Sequence, residues 1–261
     1  MKKYFKKYLK ILNNTRTLLA LNNKESRVFL YLKGKTIQYI RIKFIGGLKM
    51  FGEHLNEVRD LMEIKRYQNK FKHKARTVAE HSWFVTKIAH GLAIWEKNKF
   101  KTENVDIEKV MFLAINHDII EGYTGDILST TKNLSPILKQ ELEKVEETIF
   151  KEHIINTIPK SWGPSYIQVH EEMSKLNTIE SKLVKAGDLI DRVYECIEEI
   201  DLQNKKPYED ILIADFRRLK DLNLISIDYF MKYSIKDIGA YKFIPDDIKG
   251  YLENLDFSPY F

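Results

Sequence analysis

The chain has 261 residues, enough to bury a substantial hydrophobic core in one large domain or in one domain with an extension. Its composition, 44% hydrophobic and 31% charged, is typical of a folded soluble protein and excludes a disordered or fibrous chain. Cys196 is the only cysteine, which excludes an internal disulfide and favours a reducing, cytoplasmic location. No run of about 18 apolar residues occurs, so no transmembrane helix is expected.

The net charge of +6 is unevenly distributed along the chain. Residues 1–49 hold thirteen Lys or Arg and one acid, so the remaining residues carry a net charge of −6. A uniformly basic protein would suggest nucleic-acid binding, but a basic arm on an acidic body says little about what the body binds. We therefore expect a basic N-terminal extension over residues 1–49, suited to an anionic surface, and a domain over residues 50–261.

Two patterns occur within this extension. Arg27–Phe44 alternates as a strand does around Lys33-Gly34-Lys35, which predicts a β-hairpin. Near the start, apolar residues recur at helical spacing opposite a lysine face, which predicts a short basic amphipathic helix. The apolar residues of that helix are Tyr4, Phe5, Tyr8, Leu9 and Leu12.

From about Phe51 the chain reads as helix after helix, which predicts an all-α domain. Thr77 and Glu80 form a capping box, and Asp106 and Ser135 are further N-cap candidates, the last followed by Pro136. The predicted helices cover residues 77–98, a segment capped by Asp106, and residues 135–155, 165–176, 177–200, 208–222, 225–233 and 246–255.

Polar side chains interrupt the apolar faces of three of these helices. His81 lies on the same stripe as Val78 and Val85, in the first turn of its helix. His90, nine residues later, lies about 180° around the helix, so we expect it to be structural.

The other inward-facing polar residues are His117 and Asp118, at the end of the next helix, and Asp188, one turn after Val184. Gly187, beside Asp188, permits a close backbone approach. A buried carboxylate needs a cation or several hydrogen bonds. Each residue taken alone fits a structural role, but together the four predict a site for one divalent transition metal ion, Mn, Co, Fe, Ni or Zn.

Three sequence blocks resemble the H…HD…D signature of the HD superfamily. They are Arg76-Thr-Val-Ala-Glu-His-Ser, Asn116-His-Asp-Ile-Ile-Glu-Gly-Tyr-Thr-Gly-Asp and Leu183-Val-Lys-Ala-Gly-Asp. More narrowly, they resemble the bacterial 5′-deoxynucleotidase branch (YfbR-type), over roughly residues 60–235. The spacer between Arg-Thr and Glu-His-Ser is shorter here than in that branch. The resemblance implies an HD-domain helical bundle, a nucleotide phosphohydrolase activity and a homodimer.

The resemblance also implies roles for individual residues. His81, His117, Asp118 and Asp188 match the four metal ligands, and Glu121 and Asp126 match two acids implicated in catalysis. Arg66 matches an arginine that contacts the substrate phosphate, Tyr67 replaces an aromatic residue expected near the base, and Lys132 matches a lysine near the phosphate.

We therefore expect a metal-dependent enzyme that removes the 5′-phosphate from nucleoside monophosphates, with deoxyribonucleotides preferred by resemblance. One alternative is a small HD triphosphohydrolase acting on a dNTP such as dATP, which would use the same metal ligands. Another is a catalytically silent HD scaffold that binds nucleic acid through its basic arm. Gly122, directly after the HDxxE block, disfavours a ppGpp-type hydrolase.

Overall fold

The computed structural model describes most of the chain after residue 50 and part of the N-terminal extension. The described residues are 18–22, 27–32, 35–41, 51–68, 70–127, 129–132 and 134–261, with the backbone alone for the strands and for residues 51, 129 and 130.

The described part of the extension is an antiparallel sheet with strand order β1-β2-β3. The strands are β1 Leu18–Asn22, β2 Arg27–Leu32 and β3 Lys35–Arg41. β2 pairs with β3 in the register Val28 to Ile40, so the hairpin predicted around Lys33-Gly34-Lys35 is present as two paired strands. β1 was not predicted because Leu-Leu-Ala-Leu lacks the alternation that distinguishes a strand. The predicted helix around Tyr4–Leu12 lies outside the described residues.

The described chain beyond residue 50 is helical. Its helices are α1 Phe51–Arg59, α2 Val78–Ile94, α3 Ile107–Asn116, α4 Glu121–Thr124, α5 Ser129–Lys132, α6 Pro136–Ile149, α7 Ile155–Thr157, α8 Gly163–Lys175, α9 Ile179–Asp201, α10 Tyr208–Asp221, α11 Ile225–Lys232 and α12 Asp246–Glu253. The predicted all-α domain is confirmed, and each predicted helix is found within a few residues of its expected ends. None of the described helices is both long enough and apolar enough to span a bilayer.

The predicted caps begin their helices. Thr77 Oγ1 accepts the Glu80 backbone N–H at 3.2 Å, and the Glu80 carboxylate accepts the Thr77 N–H at 2.7 Å. Asp106 caps α3 through the Lys109 N–H, and Ser135 caps α6 directly before Pro136. Each such cap contributes about 1 kcal/mol to the stability of its helix.

The core forms around α9, which contacts α2, α3, α8 and α10. Its largest contact is with α2, and Gly187 sets how close the two helices come. A Cβ at Gly187 would lie 2.9 Å from the Val85 carbonyl oxygen and 3.4 Å from Ala89 Cβ. The close approach expected at Gly187 is therefore present, and it holds Asp188 near the first turn of α2.

Candidate metal centre and its surroundings

His81 lies in the first turn of α2 and is almost fully buried. Its Nδ1 is 2.5 Å from Asp191 Oδ2, on α9. Its Nε2 lies on the other side of the ring, 3.4 Å from Asp118 Oδ2 and 3.6 Å from Asp188 Oδ1. The ring thus connects an acid behind it with two acids in front of it.

His117 and Asp118 follow the last turn of α3. Nδ1 of His117 is 2.7 Å from the carbonyl oxygen of Ala114, which can only accept, so this nitrogen donates. Nε2 of the same ring is 3.1 Å from Asp118 Oδ2. Burial alone would raise the pKa of Asp118, but the neighbouring His117 and His81 hold that pKa well below its usual value.

Asp188 enters the same group from α9. Its Oδ2 accepts a hydrogen bond from Lys185 at 2.6 Å. Burial favours the neutral acid, but Lys185, Arg192 and His81 hold the pKa of Asp188 well below its usual range. Asp188 is therefore an anion directed at the two imidazoles.

These residues fit a divalent transition metal. One ligand atom from each of His81, His117 and Asp188 lies within 4.8 Å of the others, and Asp118 Oδ2 lies beside both Nε2 atoms. Within the described residues, the two Nε2 atoms are buried and make no hydrogen bond. Two imidazole nitrogens with carboxylates suit a transition metal better than Ca²⁺ or Mg²⁺. The structure brings together the four residues that the sequence predicts as ligands, whereas His90 is not in the group.

Glu121 is the first residue of α4, one turn beyond His117. Its Oε2 is buried and has no hydrogen-bond partner among the described residues. Burial, together with the charges of Asp118 and Asp126, raises the pKa of Glu121 well above its usual value. The structure thus favours a protonated carboxyl group beside the candidate metal ligands.

Asp126 follows a turn that requires glycine, because Gly125 has φ 70° and ψ 171°. The carboxylate of Asp126 accepts the backbone N–H of Tyr67 at 2.7 Å. Tyr67 itself has φ 57°, a backbone conformation uncommon for a non-glycine residue. Asp126 therefore anchors the segment that carries Arg66.

Arg66 is buried between two acids. Its Nε is 3.5 Å from Glu195 Oε2, and its Nη1 is 4.0 Å from Asp118 Oδ2. The Tyr67 side chain is also buried, with Tyr208 6.4 Å from it between ring centroids and Lys72 Nζ 4.7 Å from its centroid. The guanidinium of Arg66 thus lies beside the candidate metal ligands, while the Tyr67 ring packs into the domain.

Lys132, at the end of α5, donates to Glu146 Oε1 at 2.7 Å. Burial opposes its charge, but Glu146 and the charges of Glu121 and Asp118 raise the pKa of Lys132. Lys132 therefore presents a cation on the same side of the domain as Glu121.

Sequence reasoning missed the acids that follow Asp188 along α9 and contact Arg66, Lys72 and Arg76. Asp191 contacts His81 and Arg76, and Glu195 contacts Arg66 and Lys72. The signal that could have found them is their spacing of three and seven residues from Asp188, which places all three carboxylates on one helical face.

The helical fold and the two-histidine, two-carboxylate group together define an HD-type phosphohydrolase. The family model for YfbR-like 5′-deoxynucleotidases matches residues 53–238, and the chain belongs to this family. A 5′-deoxynucleotidase of Photorhabdus laumondii subsp. laumondii is 30% identical over 160 residues, covering 61% of this chain and 79% of the relative. A 5′-deoxynucleotidase of Cronobacter sakazakii is 29% identical over 162 residues, covering 61% and 78%.

A solved structure supports the HD-domain fold. The crystal structure of an HD-domain phosphohydrolase from Listeria innocua aligns with a TM-score of 0.64 at 28% identity, covering 78% of this chain and 98% of that one. The expected HD-domain bundle is thereby confirmed, and so is a hydrolase of the 5′-deoxynucleotidase family.

Proposed function

We propose that the protein is a metal-dependent phosphohydrolase that removes the 5′-phosphate from nucleoside monophosphates and prefers deoxyribonucleotides. Membership of the 5′-deoxynucleotidase family supports the reaction and the substrate class. The observation that carries the proposal is the convergence of two buried Nε2 atoms, neither of which makes a hydrogen bond, on two carboxylates at the junction of α2, α3 and α9.

His81, His117, Asp118 and Asp188 would hold one divalent transition metal ion. When bound, the ion would polarise a phosphoryl oxygen and make a water molecule nucleophilic near neutral pH. Such help matters because phosphate-monoester hydrolysis is among the slowest uncatalysed reactions. Enzymes accelerate it by up to ~10²¹-fold.

The remaining residues act on the phosphate and on its protons. Arg66 offers its terminal nitrogens to two phosphate oxygens, and Lys132 adds a second cation. Glu121 holds a proton at its carboxyl group. It can give this proton to the leaving 5′-oxygen and take one from the attacking water. Asp126, through the Tyr67 N–H, keeps Arg66 in place. The ring of Tyr67 is buried, so in this proposal Tyr67 supports the substrate site through its backbone N–H, which donates to Asp126.

The proposal is tested by product analysis with the full-length protein. Mn²⁺, Co²⁺, Ni²⁺, Fe²⁺ and Zn²⁺ are each supplied with dAMP, dGMP, dCMP, TMP, AMP and dATP, and the released orthophosphate and inorganic triphosphate are quantified. We expect orthophosphate from the monophosphates. Triphosphate release from dATP alone would support the triphosphohydrolase alternative instead. Nucleic-acid binding without turnover of any nucleotide would support the silent scaffold.

Variants link this activity to the metal. His117→Ala and Asp118→Ala are expected to lose bound metal and turnover together, whereas the matched variant His90→Ala keeps both. If either ligand variant retained both bound metal and turnover, the ligand assignment would be wrong.

We further propose that residues 50–261 form the catalytic domain, that the protein acts in the cytoplasm and that it is a homodimer, as the family resemblance implies. In this proposal, residues 1–49 are an accessory basic arm suited to an anionic surface. Light scattering of the purified protein tests the dimer, and liposome binding by the intact protein tests the arm.

A further inference from the structure

Asp191 is a fully buried acid that none of the proposed steps uses. It lies on α9, one turn after Asp188, and its side chain has 0% exposure. Its two oxygens have different partners: Oδ2 is 2.5 Å from His81 Nδ1, and Oδ1 is 3.5 Å from Arg76 Nη1. A buried carboxylate is thus held between an imidazole and a guanidinium.

These contacts fix the direction in which His81 presents its second nitrogen. Arg76 supplies the positive charge that a buried carboxylate requires. An ionised carboxylate accepts hydrogen bonds but cannot donate them, so Nδ1 of His81 must carry the hydrogen. Nε2 is then the nitrogen available as a ligand, and it lies 3.4 Å from Asp118 Oδ2 and 3.6 Å from Asp188 Oδ1.

We propose that Asp191 is a positioning residue for the metal site. It holds the His81 ring with Nε2 directed at the metal position, and its negative charge makes that nitrogen a stronger ligand. This role rests on the proposed metal ligands and acts on the metal solely through His81.

The second imidazole of the group provides an internal comparison. His117 is oriented by a neutral group, the Ala114 carbonyl oxygen, at 2.7 Å from Nδ1. His81 is oriented by an anion at a shorter distance. Both rings therefore donate from Nδ1, but the acceptor is a carboxylate for His81 and a neutral carbonyl oxygen for His117. Only the acceptor of His81 is a side chain, so it can be changed by mutation.

A competing explanation is that Asp191 merely anchors Arg76. Arg76 has a second partner on the same helix, because its Nη2 donates to Glu198 Oε2 at 2.7 Å. Glu198 does not contact His81. Glu198→Gln is therefore a matched control that weakens the hold on Arg76 and leaves the Asp191–His81 contact intact.

The experiment measures Co²⁺ affinity of the full-length protein by competition with a chromophoric chelator. Asp191→Ala is expected to lower the affinity between about tenfold and a hundredfold, the usual effect of losing such a partner. Asp191→Asn should fall between Asp191→Ala and the wild type, since its amide oxygen still accepts from Nδ1–H but carries no charge. Glu198→Gln should bind Co²⁺ as the wild type does.

A second readout requires neither metal nor activity. The short Nδ1–H contact to a carboxylate should give a downfield imidazole proton in the ¹H NMR spectrum, protected from exchange by burial. We expect this signal in the wild type and in Glu198→Gln, and its loss in Asp191→Ala. If Asp191→Ala failed to fold, the near-isosteric Asp191→Asn would supply the Co²⁺ affinity, and its imidazole proton should move upfield because a neutral oxygen accepts a weaker hydrogen bond than a carboxylate does.

The outcomes separate the role of Asp191 from the site itself. A wild-type protein that binds no Co²⁺ would contradict the proposed metal site. If the wild type binds Co²⁺ but the folded Asp191 variants bind it equally well, the metal site stands and the role of Asp191 is wrong. An equal loss in Glu198→Gln would also overturn it, because the effect would then run through Arg76.

Discussion

At the scale of single residues, Glu121 has a buried carboxyl oxygen, Oε2, with no hydrogen-bond partner among the described residues. Desolvation of the carboxyl group, together with the charges of Asp118 and Asp126, raises the pKa of Glu121 well above its usual value. A group held protonated in this way is suited to giving a proton to an oxygen and retrieving it. Such an arrangement favours chemistry over stability, because three acids share one small volume.

Replacing Glu121 by Gln should therefore separate catalysis from folding. Glutamine has nearly the shape of the protonated acid, so we expect Glu121→Gln to keep bound metal and a melting temperature at least equal to that of the wild type. Loss of proton transfer should lower kcat by about 10²–10⁴-fold. Glu108→Gln, an exposed change on α3, is the control. A near-normal kcat in Glu121→Gln would remove Glu121 from the mechanism.

The pKa of His81 predicts how metal binding depends on pH. Burial and Arg66 lower this pKa, but the contacts with Asp118 and Asp191 raise it to about 9 in the metal-free protein. Because a metal held as proposed would displace the proton on Nε2, Co²⁺ affinity should rise by about tenfold per pH unit towards pH 9 and then level off. Co²⁺ titrations between pH 7 and 10 measure this, and a flat profile would contradict it.

The same pKa gives the opposite trend for stability without metal. Since the folded value lies above the ordinary 6.5, His81 stabilises the metal-free protein fully below about pH 6.5. That contribution is lost as the pH rises through about 9. Increasing pH should therefore strengthen metal binding while it weakens the metal-free fold.

At the scale of secondary-structure elements, the contact between α2 and α9 sets the geometry of the candidate metal centre. Gly187→Ala would place a Cβ 2.9 Å from the Val85 carbonyl oxygen, which is backbone and cannot turn aside. Overpacking of this kind costs about 1–3 kcal/mol, more than the ~1 kcal/mol that alanine gains over glycine in a helix. We expect a lower melting temperature and weaker Co²⁺ binding, because Asp188 is displaced with α9.

Gly91→Ala is the matched control for that change. Gly91 lies in α2, and a Cβ there would meet nothing within 4 Å. This substitution should raise the stability by about 0.5–1 kcal/mol and leave metal binding unchanged. Equal effects of the two substitutions on melting temperature would show that the close approach at Gly187 is unimportant.

A second connection between elements joins α9 to the loop that carries Arg66. Glu195 lies 3.5 Å from Arg66 Nε and 3.0 Å from Lys72 Nζ. If Glu195 directs Arg66 towards the phosphate, Glu195→Gln should raise KM in the wild type but have little effect when Arg66 is already alanine. A double-mutant cycle on KM should thus give a coupling of about 0.5–3 kcal/mol, and simple additivity would contradict the connection.

The elements also show where sequence reasoning succeeded and where it failed. Periodicity and caps identified the long helices, because burying one face and closing the first turn are properties of neighbouring residues. The positions of Arg66 and Lys72 could not be predicted, since their partner Glu195 lies more than a hundred residues away along the chain: Lys72 and Glu195 are separated by 123. The buried ring of Tyr67 was missed for the same reason.

At the scale of the whole molecule, the excess positive charge lies in residues 1–49, whereas the proposed site residues lie in the part of the chain after it. The family match begins at residue 53, and the proposed ligands lie between His81 and Asp188. We therefore expect a protein that starts at Met50 to retain its metal and kcat. Loss of the basic arm should appear as a higher KM at low ionic strength, where steering of an anionic substrate is strongest. A loss of kcat would place the arm within the active site.

The single cysteine can report when the packing around α9 opens. Cys196 follows Glu195 on α9, is fully buried and has a raised pKa because of that burial. A thiol reagent can reach Cys196 only when the packing around α9 opens. The rate of labelling therefore measures how often this opening occurs. Since no other thiol exists in the chain, labelling of the wild-type protein needs no engineered probe. Slower labelling in the presence of metal or nucleotide would show that the ligand stabilises the packing around α9, the helix that carries Asp188.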